Sequence, residues 1–157
     1  MAIKYIFTDI DGVLTNGQVL IDELGNERKN ICYRDLDAIS LGRKAGIEFA
    51  MLTGESTNLA SYIVKRFNVS EAVLGAKDKG KAFMELIERL GIRKEDVCYI
   101  GDSNRDIPAI DMAGLGVCPH DATLQVLKKV DYVTEVDGGQ GVLWEVVEKI
   151  ISKDLMK

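Results

Sequence analysis

Two acidic pairs in this sequence are spaced so that they could bind a divalent cation and take part in phosphoryl transfer. Asp9 and Asp11 stand two residues apart directly after an apolar run near the N-terminus, and Asp102 and Asp106 follow another apolar run far downstream. Carboxylates this close repel one another unless a cation lies between them or one of them takes a proton. Oxygen-rich clusters suit Mg²⁺, so all four residues are candidate metal ligands.

A hydroxyl and a lysine also follow apolar runs, and they complete a possible set for phosphoryl transfer. A carboxylate such as Asp9 can attack phosphorus, and Asp11 can protonate the leaving oxygen and later take a proton from water. Thr53 and a lysine can hold the remaining phosphate oxygens. Lys77 and Lys79 are both candidates for that lysine, and the spacing before the following helix favours Lys79.

Alternating strands and helices must position these groups. Short apolar runs predict strands at 4–8, 48–52, 72–74, 97–100, 115–117 and 132–134, and helical periodicity predicts helices at 36–45, 56–67, 78–90, 104–113, 121–129 and 140–152. This alternation is typical of an α/β fold: a Rossmann-like, doubly wound, mostly parallel sheet with helices on both faces. The C-terminal ends of such strands lie along one edge, where ligands bind.

One segment departs from this alternation. Residues 18–22 and 28–33 flank a Gly25-Asn26 turn and alternate apolar with polar side chains, which predicts a β-hairpin within an insertion at about 17–33. The 157 residues fit one domain with its own core, and no linker or repeat interrupts them. We therefore expect a single domain over 1–157.

Composition excludes several classes of protein. The net charge of −5 argues against general nucleic-acid binding, and no apolar run approaches the roughly 18 residues that span a membrane. The N-terminus leads directly into the first predicted strand, so no signal peptide is expected. Cys32, Cys98 and Cys118 form no CxxC pair, which favours reduced thiols in a cytoplasmic protein.

Taken in order, the motifs resemble those of the haloacid-dehalogenase-like superfamily of phosphotransferases. The matching segments are Asp9-Ile10-Asp11-Gly12-Val13 for the DxDGV motif, Leu52-Thr53-Gly54 for the hydroxyl motif, Lys79 for the lysine motif, and Gly101-Asp102 through Asp106 for the GDxxxD motif. The resemblance spans nearly the whole chain. It implies a Mg²⁺-dependent phosphatase that works through an aspartyl phosphate.

The resemblance also implies a role for each matched residue. Asp9 would be the nucleophile and Asp11 the general acid/base. Mg²⁺ would bind the carboxylates of Asp9 and Asp102 and the backbone carbonyl of Asp11, with Asp106 completing the acidic cluster. The phosphate would be held by Thr53, Gly54 and Lys79.

The short hairpin, in place of a large cap domain, resembles a capless subgroup of sugar-acid phosphatases. Members hydrolyse 3-deoxy-D-manno-octulosonate 8-phosphate or 2-keto-3-deoxynononate 9-phosphate, and they assemble as homotetramers in which neighbouring subunits complete each active site. The same substrate class and assembly are implied here. The Thr53-Gly54-Glu55 segment resembles the corresponding segment of the nine-carbon enzymes. Arg66 matches one of the two basic residues with which those enzymes bind substrate, whereas Ile63 stands where the other is expected. In the C-terminal loop Gln140 replaces an arginine that is frequent in the octulosonate enzymes, so the number of carbon atoms stays open.

Other interpretations remain. The chain could be a noncatalytic oligomerisation module like the phosphatase-like domain of sugar-acid cytidylyltransferases, a phosphatase of other small phosphorylated sugars, or a phosphomutase. The complete motif set favours an enzyme, and the lack of a large cap that would exclude water favours hydrolysis. Glu55 could equally be a first-turn helix carboxylate, and Arg66 a surface or interface residue. Arg34 and Asp35 could contact substrate or a neighbouring subunit.

Overall fold

A six-stranded parallel sheet covered by helices on both faces forms the centre of the protein, which a computed structural model describes over residues 2–154. Its strands are β1 (Tyr5–Thr8), β4 (Glu48–Leu52), β5 (Glu71–Val73), β6 (Val97–Ile100), β7 (Leu115–Cys118) and β8 (Tyr132–Val133), and β2 (Leu20–Ile21) and β3 (Glu27–Arg28) form a separate hairpin. The helices are α1 (Tyr33–Lys44), α2 (Asn58–Arg66), α3 (Lys79–Leu90), α4 (Ile107–Met112), α5 (Leu124–Leu127) and α6 (Val142–Ile151). The strand order is β5-β4-β1-β6-β7-β8. The predicted α/β class is therefore confirmed.

The central strands are apolar on both sides because each face of the sheet is covered. Successive strand residues point to opposite faces. Ile6 accordingly belongs to the apolar cluster that contains α1 and α6, and Phe7 belongs to the cluster that contains α3 and α4. In the register of the sheet, Phe7 pairs with Ala50 of β4 on one side and with Tyr99 of β6 on the other. This places the ends of β1, β4 and β6 next to one another.

Two predicted helices differ from the observed ones for local reasons. The segment predicted as a helix at 121–129 is helical only in α5, because its first residues turn back toward β6: Ala122 N donates to Pro119 O at 3.1 Å and Thr123 N donates to Asp102 O at 2.9 Å. The segment predicted at 104–113 begins with a 3₁₀ turn over Asn104–Asp106 before α4. Both differences bring backbone to the loop that carries Asp102.

The predicted hairpin is present but its arms are shorter than expected. Each arm pairs over only two residues. The Asp22 carboxylate organises the turn by accepting hydrogen bonds from Leu24 N and Asn26 N, both at 2.9 Å, and Gly25 supplies a φ of +83°. The second arm was predicted to reach residue 33, but α1 already begins at Tyr33.

The described residues contain no helix that is both long and apolar enough to cross a bilayer. Cys32, Cys98 and Cys118 are unpaired thiols. A cytoplasmic location and the assignment of the whole chain to one domain stay predictions.

Candidate active site

Most of the polar residues predicted at the strand ends line one open pocket at the C-terminal edge of β1, β4 and β6, whereas Asp106 is fully buried and does not line it. The volume of the pocket is about 440 Å³. The residues that line it are Asp9, Asp11, Gly17, Thr53, Gly54, Glu55, Lys77, Lys79, Asp102, Ser103 and Arg105. The pocket thus contains residues from all four sequence motifs, and they come from segments almost 100 residues apart in the chain.

Asp9 lies at the floor of this pocket and is nearly buried. Its Oδ1 accepts a hydrogen bond from Ile10 N at 2.8 Å and lies 3.2 Å from Lys79 Nζ. Burial raises the pKa of Asp9 well above its usual value, and the nearby charges of Asp106 and Asp102 add to the effect, whereas Lys79 opposes it. Additional positive charge close to Asp9 would therefore favour its ionised form.

Lys79 is the lysine that contacts the candidate nucleophile. Its side chain is only 3% exposed, and its Nζ lies 3.0 Å from Asp106 Oδ1 and 3.2 Å from Leu52 O as well as near Asp9. The Asp78 side chain caps the helix by accepting from Lys81 N at 3.0 Å, which fixes the start of α3. Lys77, the competing candidate, lies exposed at the rim of the pocket. The geometry therefore favours Lys79 as the inner phosphate-binding lysine.

Asp106 holds other parts of the site in place. Its Oδ1 accepts from Lys79 and from the Tyr99 hydroxyl, the latter at 2.6 Å. Its Oδ2 accepts from the backbone N–H groups of Asp102 and Ser103 at 3.1 and 3.2 Å. Carboxylate oxygens of Asp9, Asp102 and Asp106 lie within 4.8 Å of one another. Because both oxygens of Asp106 already accept hydrogen bonds, Asp9 and Asp102 are the better-placed metal ligands of the three.

The residues present fit a divalent cation. Burial and the nearby Asp106 carboxylate raise the pKa of Asp102 to about 6, and a cation between Asp9 and Asp102 would offset both the burial and the repulsion. Gly12 permits this approach: a methyl group on its Cα would overlap the Asp102 carboxylate, and its φ of +86° also favours glycine. Hard, oxygen-only ligands of this kind suit Mg²⁺.

Asp11 also lines the pocket, and it pairs with a residue that sequence reasoning missed. Lys29 Nζ lies 2.8 Å from Asp11 Oδ1, although the Lys29 side chain is only 6% exposed. The Thr15 hydroxyl also donates to Asp11 Oδ1 at 3.3 Å and accepts from Gly12 N at 3.2 Å. Lys29 follows β3 directly, so the hairpin contacts through this pair the segment 9–15 after β1, which carries Asp9 and Asp11 and is here called the catalytic loop.

Thr53 and Gly54 form the turn after β4. Thr53 is buried, and its Oγ1 accepts from Glu55 N at 3.1 Å. Within residues 2–154 its hydroxyl hydrogen has no acceptor, so it can donate to a ligand oxygen. Glu55 is exposed beside this turn and lines the pocket.

The predicted substrate-binding residue Arg66 does not line the pocket of its own chain. It lies exposed at the end of α2, outside the residues that line this cavity. Arg34 is also exposed, and the Asp35 carboxylate is buried against the first turn of α6 rather than in the pocket.

The Gly138-Gly139 loop packs against the backbone of the catalytic loop. Gly139 N donates to Val13 O at 2.9 Å. A methyl group on Gly138 would lie 2.0 Å from Gly12 O, a distance that backbone atoms cannot accommodate. The sequence indicated a loop at these glycines, but not that it packs against the DxDGV segment.

Comparison with known proteins places this geometry in a family. A profile described as haloacid dehalogenase-like hydrolase matches residues 71–146. The 3-deoxy-D-manno-octulosonate 8-phosphate phosphatase of Escherichia coli K12 is 32% identical over 149 residues, which cover 95% of this chain and 79% of that protein.

Solved structures of similar fold belong to the same family. A structure described as a HAD superfamily (subfamily III A) hydrolase from Legionella pneumophila superimposes with a TM-score of 0.92 at 34% identity, covering 96% of this chain and 82% of that one. The octulosonate 8-phosphate phosphatase of Moraxella catarrhalis, solved with a magnesium ion, a phosphate ion and a KDO molecule, superimposes with a TM-score of 0.90 at 32% identity, covering 96% and 86%. The chain therefore belongs to the haloacid-dehalogenase-like phosphatases, within the capless subgroup that contains the octulosonate 8-phosphate phosphatases, and it is a phosphoric monoester hydrolase.

Proposed function

We propose that this protein is a Mg²⁺-dependent phosphatase of a phosphorylated 2-keto-3-deoxy sugar acid. The observation that carries the proposal is the joint placement of Asp9, Asp11, Thr53, Lys79 and Asp102 around one pocket. Its relatives from E. coli and M. catarrhalis are octulosonate 8-phosphate phosphatases, which supports an eight-carbon sugar acid phosphate as the substrate. Deoxynononate 9-phosphate is the alternative, because the Thr53-Gly54-Glu55 segment resembles the nine-carbon enzymes.

In the first step, a carboxylate oxygen of Asp9 attacks phosphorus and the bond from phosphorus to the sugar oxygen breaks. Asp11 donates its proton to the departing sugar oxygen, so the sugar acid leaves as a neutral hydroxyl. Lys79 and the Thr53 hydroxyl hold the other phosphate oxygens and offset the developing charge. The product on the protein is an aspartyl phosphate at Asp9.

In the second step, water attacks the phosphorus of this aspartyl phosphate. The Asp11 carboxylate takes the proton from the water, and the bond from phosphorus to the Asp9 oxygen breaks. Inorganic phosphate then leaves, and both carboxyl groups return to their starting states. Mg²⁺, held by Asp9, Asp102 and the backbone carbonyl of Asp11, would lower the repulsion between the carboxylates and the phosphate dianion.

Phosphate release from a panel of esters tests this function. The panel contains octulosonate 8-phosphate, deoxynononate 9-phosphate, N-acetylneuraminate 9-phosphate, hexose phosphates and p-nitrophenyl phosphate, each with Mg²⁺ and with EDTA. We expect hydrolysis only with the metal and a clear preference for one sugar acid. Equal rates on the hexose phosphates would contradict the sugar-acid assignment, and no hydrolysis of any ester would favour a noncatalytic oligomerisation module.

The Asp9→Asn variant tests the nucleophile. It removes the attacking oxygen charge but preserves the side-chain shape, so turnover should fall by at least about 10³-fold while the fold is retained. Asp111→Asn, at an exposed position on α4, is the matched control and should retain full activity. Substantial turnover by Asp9→Asn would remove the proposed covalent mechanism.

We also propose that the protein assembles as a homotetramer through its hairpin. Val19, Leu20, Ile21 and Leu24 are all exposed on the hairpin, and a two-stranded hairpin is marginal in water unless it packs against something. Neighbouring subunits would then bring residues such as Arg66 to each other's pockets. Leu20→Lys combined with Ile21→Lys should shift the mass in light scattering toward the monomer, whereas Leu124→Lys on α5 should not. A monomeric parent protein would overturn the assembly but not the chemistry.

A further inference from the structure

Two cations at the rim of the pocket are not used by the chemistry described above. A methyl group placed on Gly54 would lie 3.7 Å from Arg105 Nη1 and 3.9 Å from Lys77 Nζ. Both side chains line the same pocket as Asp9. They therefore lie beside the turn that carries Thr53, and both are exposed whereas Lys79 is buried.

The backbone holds both residues at this rim. Lys77 follows Ala76, whose N–H donates to Thr53 O at 2.8 Å, so the chain before α3 is tied to the end of β4. Arg105 lies in the 3₁₀ turn between Asp102 and Asp106, where Asp106 N donates to Ser103 O at 2.9 Å. The position of each cation follows from segments that the active site itself requires.

The two cations are also free to bind a ligand. Lys79 is engaged with Asp9 and Asp106, and Lys29 is engaged with Asp11. Over residues 2–154, no carboxylate oxygen lies within 4.0 Å of a side-chain nitrogen of Lys77 or Arg105, so neither residue forms an ion pair. A pair of unneutralised cations beside an anion-binding turn raises the local concentration of anionic ligands and favours those with a second charge.

We propose that Lys77 and Arg105 bind a second anionic group of the substrate, the carboxylate of a phosphorylated sugar acid. This inference rests on the proposed function and adds the residues that recognise the acid. Inside the pocket, the transferring phosphate is held by Thr53 and Lys79. The rim cations contact the part of the substrate that extends toward solvent, where the guanidinium of Arg105 can bind a carboxylate in a bidentate manner.

A pair of ligands that differ only at the acid group tests this assignment. 6-Phosphogluconate carries a carboxylate at C1, and glucitol 6-phosphate carries a hydroxymethyl group there. Each is measured as a competitive inhibitor of p-nitrophenyl phosphate hydrolysis, with Mg²⁺ present, in the parent protein and in Lys77→Gln/Arg105→Gln. Lys81→Gln, at an exposed position in the first turn of α3, is the control variant.

We expect the parent protein to bind 6-phosphogluconate more tightly, and the double variant to lose at least about tenfold affinity for it while changing less than about threefold for glucitol 6-phosphate. Equal losses for both ligands would overturn the proposal, because the cations would then attract only the phosphate. No preference for the acid in the parent protein would also overturn it. Fructose 1,6-bisphosphate and fructose 6-phosphate form a second pair, and a loss confined to the bisphosphate would assign the cations to a second phosphate instead.

The binding role of Lys77 and Arg105 can be tested even if the proposed phosphatase function is wrong. If the parent protein hydrolyses no ester, calorimetric titration with 6-phosphogluconate and glucitol 6-phosphate replaces inhibition as the readout. A carboxylate preference that disappears in the double variant would then support the binding role of Lys77 and Arg105 in a protein that is not a phosphatase, and the lack of such a preference would reject it.

Discussion

At the scale of single residues, the Tyr99 hydroxyl supports the active site from within the sheet. Burial and the charge of Asp106 raise the pKa of Tyr99 well above its usual value, so the hydroxyl keeps its proton. It donates at 2.6 Å to the Asp106 oxygen that also accepts from Lys79. Tyr99 is therefore linked through Asp106 to Lys79, the proposed phosphate-binding lysine, although it does not itself line the pocket.

The variant Tyr99→Phe should weaken both stability and turnover. It removes one donor from a buried carboxylate, so we expect the free energy of unfolding to fall by about 2 kcal/mol. Because Lys79 is then held less firmly, kcat should fall more than KM changes. Urea denaturation and steady-state kinetics measure the two effects. Tyr5→Phe is the control, since the Tyr5 hydroxyl has no hydrogen-bond partner among the described residues, and equal effects in both variants would contradict the role of Tyr99.

The difference between Asp9 and Tyr99 shows which residues the sequence could predict. Asp9 and Asp102 stand where an apolar strand ends, and a carboxylate at that place has no simple packing role. Tyr99 lies inside the four-residue strand β6, where every residue is buried, so its hydroxyl is indistinguishable from ordinary core packing in the sequence. The role of Tyr99 depends on the hydrogen bond from its hydroxyl to Asp106, and the spacing of residues in the sequence does not reveal that bond.

At the scale of elements, the hairpin is joined to the catalytic loop by the pair between Lys29 and Asp11. The two arms pair over only two residues each, and isolated hairpins of this size are marginal. The Lys29 side chain is shielded from water, so this pair is less screened than a surface salt bridge. The hairpin therefore helps to position Asp11, and Asp11 helps to hold the hairpin.

Lys29→Met should loosen the hairpin and lower activity together. We expect faster hydrogen exchange of the amides in β2 and β3, and a fall of about tenfold in kcat/KM, because Asp11 loses its partner. Arg28→Met, on the exposed arm next to it, should change neither by more than about twofold. Unchanged hairpin exchange in Lys29→Met would contradict the anchoring role.

The ends of this hairpin could not be predicted because side chains, not alternation, set them. Asp22 accepts hydrogen bonds from the turn amides directly after Ile21, where the first arm ends, and the second arm ends at Arg28, which residues 29–32 separate from the start of α1. The pairing of Lys29 with Asp11 joins residues 18 positions apart in the sequence. They meet only because the folded hairpin contacts the catalytic loop. The order of strands and helices, in contrast, followed from local periodicity.

At the scale of the whole molecule, the buried carboxylate of Asp35 joins the first turns of α1 and α6. It is fully buried, its Oδ1 accepts from Trp144 N at 3.1 Å, and its Oδ2 has no hydrogen-bond partner in the described part of the chain. Burial raises the pKa of Asp35 from 3.8 to about 6, although the backbone N–H groups of Trp144 and Leu143 oppose the shift. The folded protein thus holds this proton over a pH range in which the unfolded chain has released it.

The sign of the resulting pH dependence follows from this difference. Well below pH 3.8 both states are protonated and Asp35 has no differential effect on stability. Between pH 3.8 and about 6 the unfolded chain ionises first, so this group progressively destabilises the folded state, by about 3 kcal/mol once the pH exceeds 6. Asp35→Asn cannot ionise. Because the unfolded chain is already partly ionised at pH 4, the free energy of unfolding of Asp35→Asn, minus that of the parent protein, should be larger at pH 7.5 than at pH 4 by about 2.5 kcal/mol.

Denaturant unfolding of both proteins in EDTA, across pH 4 to 7.5, measures that change. The comparison uses the difference between the two proteins at each pH, because Asp9 and Asp102 also have raised pKa values and affect both proteins alike. Any unpartnered amide in Asp35→Asn adds an offset that does not vary with pH, so it leaves the slope intact. Asp37→Asn, at an exposed position on α1, should give a nearly flat difference, and a flat difference for Asp35→Asn would mean that Asp35 is already ionised at pH 4 in the folded protein.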